Sequence, residues 1–462
     1  MNDLLSKLPN MNSLIEHPSV SILGAERAKK ASRDVLDELR RSIISKALQK
    51  VPDLDECASM VYSRASNNTN NLRSVVNATG VILHTNLGRA PLGDDILKNV
   101  IEACSGYCNL EYDTNTGKRG SRYAHVEELI CALTGAEAAV VTNNNAAAMV
   151  LILGTLARDK KVAISRGELV EIGGSFRMPD VIVQSGAELV EIGSTNKTKL
   201  SDYIDAVENK GAEVLLKVHT SNYEVVGFTQ SVDVSSLAKY GKSIGMPVVY
   251  DVGSCFLIDT ELFGFSAGKT EDAITSGADI ICFSGDKLLG SIQSGIIAGR
   301  ADLISAMKKH PLARAFRPDK LTLTVLESTL RLYQYPQEAA ERIPILSMLF
   351  AQSGNLKKRA DEMASRISSI VNSWVVEVCP VSDETGGGAL PNIPLPGWAV
   401  SIKPSGMSVN ELENHLRKRE KPIIIRIFGD AALLSMRTLC QSDDNVIYDA
   451  FSQLNPKHQT LC

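Results

Sequence analysis

Short apolar runs alternate with segments of helical spacing between residues 76 and 320. The apolar runs are rich in Val, Ile and Ala and are followed by small polar residues, which is typical of buried strands. The segments between them, such as 146–157 and 234–244, have the spacing of helices. Strands separated by helices predict a mostly parallel sheet in an α/β domain. The candidate strands are Ala139–Thr142, Val162–Ser165, Val214–His219, Val248–Asp251, Ile280–Ser284 and Ile296–Ala298.

The region before this pattern has a different character. Residues 25–50 place apolar side chains at helical spacing, and the polar run 66–71 predicts a loop or linker. We therefore expect a helical N-terminal domain over residues 1–75, followed by the large α/β domain over residues 76–320.

A smaller domain is predicted after the large one. Residues 321–333 have the pattern of a long helix that leaves the α/β domain. The remainder mixes helical and strand patterns, and its glycine-rich segment 385–388 predicts a flexible insert. These patterns indicate a small α+β domain over residues 321–462.

Composition excludes several classes of protein. The chain has 462 residues, of which 44% are hydrophobic and 22% charged, and its formal net charge is −4. Because it has no global basic field, we expect no DNA partner, and contact with any nucleic acid would need a local patch. No apolar run is long enough to predict a membrane span, and the N-terminus lacks the pattern of a signal peptide. The nine cysteines are scattered without zinc-site spacing, so we expect reduced thiols, no metal and a cytoplasmic location.

One local basic patch lies within residues 27–50, where eight basic residues stand against three acidic ones. A solvated helix face is the simplest explanation of this charge excess. Contact with a nucleic acid backbone is the alternative.

Lys287 is the most informative single residue. It follows the apolar run 280–283 and precedes a turn at Gly290. An ammonium group placed at the mouth of a buried sheet loses hydration, which lowers its pKa and makes the amine a usable nucleophile. The Schiff-base lysine of a pyridoxal phosphate (PLP) enzyme requires such an amine. A solvated surface lysine is the ordinary alternative.

Other candidates stand at the ends of predicted strands. Asp251 ends one strand, where a carboxylate can keep a pyridine nitrogen protonated, and ligands of open α/β sheets bind at such strand ends. The segment 143–146 opens a helix, whose N-terminus can bind a phosphate group. Helix capping is the alternative for both. The residues expected to contact the cofactor are Lys287, Asp251, Asn143, Asn144, Asn145, Ala146, Ser284 and His219.

Three arginines are candidates for an anionic substrate. They are Arg89, Arg314 and Arg317. Guanidinium groups bind oxyanions with two parallel hydrogen bonds, so a cluster of them would suit a phosphate-like substrate. Sequence does not establish that the three converge, and exposed surface arginine is the alternative.

Five blocks of the chain resemble bacterial selenocysteine synthases, the L-seryl-tRNA(Sec) selenium transferases. The resemblance covers essentially the whole chain and is weaker at both ends. The blocks are NATGVILHTNLGRAPL (77–92), NNNAAA (143–148), SRGELVEIGGSFRMPDV (165–181), KVHTSNY (217–223) and SGDKLLG (284–290).

The resemblance implies a PLP-dependent transferase of fold type I, with PLP on Lys287 and Asp251 facing its ring nitrogen. It implies that Arg89, Arg314 and Arg317 line the pocket for selenophosphate. The expected reaction converts L-seryl-tRNA(Sec) to selenocysteinyl-tRNA(Sec) through a PLP-bound dehydroalanyl-tRNA, for selenoprotein synthesis. The family also implies a homo-oligomer, a ring of dimers with ten chains, and an N-terminal domain that grips the tRNA.

The chain departs from the family pattern near the expected cofactor. Ser291, Ile292 and Ser294 stand where Gly, Pro and Ala are usual, and Cys255 stands where a glycine is usual. A Cβ in a turn that needs positive φ would cost stability or shift the backbone, so we expect effects on turnover or cofactor affinity.

Two other functions are consistent with these residues. One is a PLP-dependent lyase of the same fold that acts on a free small amino acid or amino sugar, since fold does not fix substrate. The helical N-terminal domain argues against it. The other is a tRNA-binding protein that has lost catalysis, which only the departures from the family pattern support.

Overall fold

The chain folds into two units, Met1–Ser74 and Val75–Cys462. The computed structural model describes residues 2–45, 48, 50–66, 71–174, 176–223, 225–265, 275–390 and 393–454. No helix within these ranges is both long enough and apolar enough to span a membrane.

The first unit is helical around one long amphipathic helix. That helix buries Ala31, Val35 and Leu39 at a spacing of four residues, which places them on one face. Its basic residues stay exposed. The helix ends at Ile44 rather than near residue 50, and residues 67–70 of the predicted linker lie outside the described residues. The helices are Asn2–Leu5, Met11–Glu16, Pro18–Ser21, Ala25–Ile44 and Leu54–Ser66.

The second unit is built on a seven-stranded sheet. All six predicted strands belong to it, and six of its seven strands run parallel to one another, which confirms the α/β fold class. In spatial order the strands are Ala138–Thr142, Gly295–Gly299, Ile280–Ser284, Val248–Gly253, Ala212–Val218, Lys161–Ser165 and Glu188–Ile192.

Two features of this sheet differ from the sequence pattern. The strand Gly295–Gly299 is antiparallel to both neighbours, because a short turn after Lys287 returns the chain without a crossover helix. The edge strand Glu188–Ile192 was not predicted. It buries only Val190 and Ile192 and exposes Glu188 and Glu191, so it lacks the continuous apolar run of a buried strand.

Helices cover both faces of the sheet. Alternate residues of each strand point to opposite faces, so Val141 and Phe283 join one apolar cluster and Val140 and Cys282 join another. The helices before the C-terminal domain are Asp94–Cys104, Ala124–Thr134, Asn145–Leu156, Met178–Gln184, Leu200–Glu208, Val234–Ile244, Ala301–Lys309 and Pro311–Ala315.

The C-terminal region forms a second sheet packed on helix Ser353–Ile370. Its strands, in spatial order, are Val76–Ala78, Ile423–Phe428, Ala431–Ser435, Leu395–Lys403 and Val375–Asp383. Helices Ser353–Ile370, Val409–Arg417 and Gln441–Ser452 pack with this second sheet. Helices Lys320–Tyr333, Pro336–Arg342 and Pro344–Leu349 instead bury apolar residues in a cluster of the seven-stranded sheet, so the helix expected to leave the large domain packs against it.

The pairing of this second sheet corrects the expected domain boundary. Residues 76–78 were assigned to the large domain, but they pair in parallel with the strand that begins at Ile423. Three residues are too short a run to reveal a partner more than three hundred positions away. The chain therefore adds a strand to the C-terminal sheet before it enters the large domain.

The glycine-rich segment 385–388 is held against the start of the large domain. The Leu83 N–H donates to the Thr385 carbonyl at 2.7 Å, and the Thr385 side chain is buried. A Cβ added at Gly386 would lie 2.5 Å from Val81. The segment expected to be a flexible insert is therefore packed, and its glycines allow that close approach.

Candidate active site

Lys287 lies at the carboxyl edge of the seven-stranded sheet, where the strand Ile280–Ser284 ends. Its turn is fixed by two hydrogen bonds, from the Gly290 N–H to the Lys287 carbonyl (2.8 Å) and from the Leu288 N–H to Ser254 Oγ (3.2 Å). The side chain is only 5% exposed. Burial lowers the pKa of the Lys287 ammonium, Asp251 opposes this shift, and Arg89 adds to it. The amine is therefore easier to deprotonate than a surface lysine.

Asp251 lies in the neighbouring strand and is also buried. Its Oδ1 accepts hydrogen bonds from Asn145 Nδ2 (2.9 Å), the Gly253 N–H (2.9 Å) and Cys282 Sγ (3.5 Å). Burial raises the pKa of the Asp251 carboxyl, while the Asn145 amide and the Lys287 ammonium oppose that rise. Among the described residues, Oδ2 has no hydrogen-bond partner, so it remains available to a ligand.

The helix Asn145–Leu156 begins beside this pair. Asn144 caps it by accepting the Ala147 N–H at 2.8 Å, and the Asn143 N–H donates to the Phe316 carbonyl at 2.9 Å. The side chains of Asn144 and Asn145 and the residue Ala146 line the cleft in front of Lys287. Asn143 is not among the residues that line this cleft, because its backbone N–H points to the Phe316 carbonyl.

Arg89 reaches the same cleft from the segment after Val76–Ala78. Its backbone adopts φ 62°, a left-handed conformation that few residues other than glycine accept without strain. Its Nη1 donates to Asp286 Oδ2 at 2.5 Å, so the residue next to Lys287 positions the guanidinium. Strain held by a specific ion pair is typical of a functional position.

The other two predicted arginines are not in this cleft. Arg314 lies on the short helix Pro311–Ala315 and Arg317 follows it, and both residues are exposed. Neither is among the described residues that line the cleft around Lys287. A single chain thus brings together one arginine of the predicted three.

His219 and Ser284 do line the cleft, as expected from their positions at strand ends. Partial loss of hydration, and secondly the Lys217 ammonium, lower the pKa of His219, although the residue is still exposed to the open cleft. The neutral imidazole is therefore the form present near neutral pH.

Sequence reasoning left several lining residues unassigned. They are Ile172, Gly173, Phe176, Gly253, Asp286 and Gln293. Asp286 could have been found from its place beside Lys287. Phe176 lies in the short strand Phe176–Arg177, whose return to the cleft no local pattern reveals.

The expected backbone strain at the departures from the family pattern is absent. The non-glycine residues with positive φ in the described chain are Arg89, Asp159 and Leu390, so Cys255, Ser291 and Ile292 do not need a glycine. The Ser291 hydroxyl instead lies 3.0 Å from that of Thr329 in a buried pair. The expectation of strain was therefore wrong, and an effect on turnover stays a prediction.

The donor groups in this cleft fit PLP. A buried amine of lowered pKa stands beside a carboxylate with one available oxygen, and a helix N-terminus opens into the same space. Asn145 Oδ1 is buried without a hydrogen-bond partner among the described residues. Since buried polar atoms are nearly always hydrogen-bonded, this atom indicates a ligand or water in the cleft.

Comparison with known proteins decides between the families that share this chemistry. The family model of L-seryl-tRNA selenium transferase matches residues 75–440. The chain belongs to this family. It is 45% identical to the L-seryl-tRNA(Sec) selenium transferase of Moorella thermoacetica over 457 residues, which cover 98% of this chain and 97% of the relative. It is 43% identical to the enzyme of that name from Alkaliphilus oremlandii over 461 residues, or 98% of each chain.

A solved structure supports the fold. D-glucosaminate-6-phosphate ammonia-lyase superimposes with a TM-score of 0.55 at 20% identity, covering 84% of this chain and 97% of that one. The mostly parallel sheet of this chain has the expected fold type I architecture of PLP-dependent enzymes.

Proposed function

We propose that this protein converts L-seryl-tRNA(Sec) to selenocysteinyl-tRNA(Sec), with PLP as cofactor and selenophosphate as selenium donor. The observation that carries the proposal is the burial of the Lys287 amine in one cleft with Asp251. Membership of the L-seryl-tRNA selenium transferase family supports the choice of substrate over a free amino acid or amino sugar.

Asp251, Asn145 and Ala146 are the residues proposed to hold the cofactor, together with Lys287. When bound, PLP supplies an electron sink for negative charge on the substrate α-carbon. Asp251 would hold the ring nitrogen in its protonated form, and the N-terminus of helix Asn145–Leu156 would bind the phosphate group. Asn145 fixes Asp251 through the bond to Oδ1.

Lys287 Nζ is the proposed general base for the α-proton of the seryl group. Because burial lowers its pKa, the neutral amine is accessible closer to physiological pH than in a surface lysine. The same group can return a proton as the β-hydroxyl leaves as water. Selenium from selenophosphate then bonds to the β-carbon and the α-carbon takes back a proton, after which water cleaves the selenium–phosphorus bond and releases inorganic phosphate. The net change is replacement of hydroxyl by selenol on the esterified amino acid.

Arg89 is proposed to orient the anionic selenium donor, with Asp286 fixing the guanidinium. Because Arg314 and Arg317 lie outside the cleft of their own chain, their proposed role requires a second chain. The expected homo-oligomer, a ring of dimers with ten chains, could supply it. The oligomer and the cytoplasmic location remain predictions.

The exposed basic face of helix Ala25–Ile44 is the proposed tRNA contact of the N-terminal unit. Arg27, Lys30 and Arg33 are all exposed on it. Cationic side chains bind the phosphate backbone without reading its sequence, which suits a domain that grips RNA by shape.

Product analysis tests the proposal. Purified full-length protein, PLP and radiolabelled seryl-tRNA(Sec) are incubated with and without selenophosphate, and the amino acid released from the tRNA is identified. We expect selenocysteine only with selenophosphate. The Lys287→Ala variant should still bind tRNA but form no product, and Lys242→Ala, at an exposed lysine, is the matched control. Normal product formation by Lys287→Ala would refute the assignment.

A further inference from the structure

A second cavity adjoins the cleft in front of Lys287. It lies between the chain after strand Ala212–Val218 and the glycine-rich segment of the C-terminal region. Ser221 lines both cavities, and Gly388 approaches Asn222 so closely that an added Cβ would lie 3.2 Å from the Asn222 Cβ. A molecule that reacts at Lys287 can therefore extend into this second cavity past Ser221.

Two polar atoms of this cavity lack partners. Thr385 is 2% exposed, and its Oγ1 has no hydrogen bond to any described residue. Asn222 Oδ1 is likewise buried and unpaired, while the other atom of that amide, Nδ2, donates to the Glu171 carbonyl at 3.0 Å. Leaving such atoms unpaired costs free energy, so a hydroxyl, carbonyl or amide of a ligand, or a water in its place, is expected opposite them.

The charges around the cavity are unusual for an amino acid site. Its described lining residues include no lysine, arginine or histidine. Asp383 is fully buried and already engaged, accepting from Arg437 Nε at 3.1 Å and from Ser435 Oγ at 2.7 Å. Glu384 is exposed at the rim and adds negative charge.

This distribution of charge favours binding of an amino acid ester over binding of a free amino acid. A free amino acid carries a carboxylate, which would find no cation among the described lining residues and would be repelled by Glu384. Two arginines nearby are engaged, Arg437 with Asp383 and Arg426 with the Ser382 carbonyl. An amino acid esterified to a ribose carries no charge at that carbonyl. It presents a carbonyl oxygen and ribose hydroxyls, which neutral groups such as the Thr385 hydroxyl and the Asn222 amide can bind.

We propose that this cavity receives the ester carbonyl and the terminal ribose of an aminoacyl nucleoside, and that the absence of a cation among its described lining residues disfavours free amino acids. The inference rests on the proposed function, since it names the part of the aminoacyl-tRNA that this region recognises. Thr385 is the proposed specificity-determining residue.

Calorimetric titration of the full-length PLP-loaded protein tests the inference. The probes are L-serine and 3′-deoxy-3′-(L-serylamino)adenosine, a stable amide analogue of the 3′ end. We expect the wild type to bind the analogue at least about tenfold more tightly than serine, because an unpaired charge is costly to desolvate. Thr385→Val keeps the shape of the side chain and removes its hydroxyl. It should weaken binding of the analogue by about three- to tenfold.

A control and a gain-of-function variant sharpen the test. Thr324→Val removes a hydroxyl that donates only within its own helix, to the Lys320 carbonyl, and should leave affinity for the analogue unchanged. Glu384→Arg places a cation at the rim and should tighten serine binding by about fivefold or more, as opposite charges attract across a partly desolvated site. Equal binding of serine and the analogue by the wild type, no effect of Thr385→Val, or no gain from Glu384→Arg would each overturn the inference.

Failure of the inference is distinguishable from failure of the proposed function. The same preparations are assayed for PLP absorbance and for conversion of seryl-tRNA(Sec). If the wild type converts seryl-tRNA while Thr385→Val binds the analogue normally, the cavity assignment alone is wrong. If the wild type takes up PLP but never converts seryl-tRNA, the proposed function itself is wrong.

Discussion

Lys287 owes its predicted reactivity to the groups around it rather than to its own chemistry. Burial disfavours the ammonium form, and Arg89 disfavours it further, while Asp251 and Asp286 partly restore it. The balance lowers the pKa below that of an ordinary lysine, because the two carboxylates offset only part of the effect of burial. A lysine in this setting can exchange protons with a substrate without remaining permanently charged.

The lowered pKa of Lys287 predicts a pH profile of labelling. Only the deprotonated amine reacts with acetic anhydride, so labelling of Lys287 in the PLP-free protein should rise at lower pH than labelling of a surface lysine. Competitive labelling read by mass spectrometry measures both in one sample, with exposed Lys242 as internal reference. Coincident profiles for the two lysines would contradict the burial argument.

The Asn145 amide predicts the strength of cofactor binding. Its bond to Asp251 Oδ1 opposes the rise in the carboxyl pKa that burial causes. Asn145→Ala removes a hydrogen bond to a charged group, so PLP affinity should fall by about tenfold or more. Absorbance titration of PLP-free protein measures this. Asn99→Ala, at an amide that bonds to Ser328 away from the cleft, is the control, and equal PLP affinity of the two variants would refute the prediction.

At the scale of elements, the turn after Lys287 and the antiparallel strand that follows it shape the cleft. The chain returns at once along Gly295–Gly299 and pairs with Ala138–Thr142, the strand that leads into the asparagine-rich helix start. Thr142 Oγ1 lies 2.9 Å from the Asn144 carbonyl and 3.2 Å from that of Gly295. The lysine and the proposed phosphate site therefore follow the two strands that flank Gly295–Gly299.

The close approach of Gly295 to Asn144 and Thr142 predicts the effect of adding one methyl group at Gly295. An added Cβ at Gly295 would lie 2.3 Å from the Asn144 carbonyl oxygen and 2.5 Å from Thr142 Oγ1. Gly295→Ala should therefore lower the free energy of unfolding by about 1–3 kcal/mol through overpacking, measured by urea denaturation. Gly354→Ala, in a helix where an added Cβ meets no atom within 4 Å, should cost nothing. Equal stability of the two variants would contradict the packing argument.

At the scale of the whole molecule, binding and chemistry are assigned to separate units. The basic helix belongs to Met1–Ser74, and the cleft around Lys287 belongs to Val75–Cys462. The formal net charge of −4 hides this local basic surface. An overall charge therefore says little about whether a protein of this size binds RNA.

Charge-reversal variants of the basic helix test whether tRNA binding belongs to the N-terminal unit. The double variant Lys30→Glu/Arg33→Glu should weaken tRNA(Sec) binding and flatten its salt dependence, because phosphate contacts release counterions. PLP uptake should not change. Filter binding at several salt concentrations measures the effect, with Lys242→Glu in the other unit as control. An unchanged salt dependence would remove the basic helix from the proposed tRNA contact.

The sequence predicted much of this architecture because its signals were local. The runs 280–284 and 248–251 read as strands from their composition alone, and Lys287 and Asp251 stood out because strand ends of such sheets meet at one edge. The strand Glu188–Ile192 and the pairing of residues 76–78 were not predicted, since an edge strand has a weak pattern and its partner is distant in the chain.

The sequence by itself determined the fold class, the family and the candidate lysine and carboxylate, since these depend on composition and order along the chain. Only the tertiary structure decided that Arg89 reaches the cleft while Arg314 and Arg317 do not, and that Thr385 and Asn222 face one cavity. Convergence of side chains depends on contacts between residues more than one hundred positions apart. No local pattern encodes those contacts, because they arise only when the apolar faces of sheet and helices pack together.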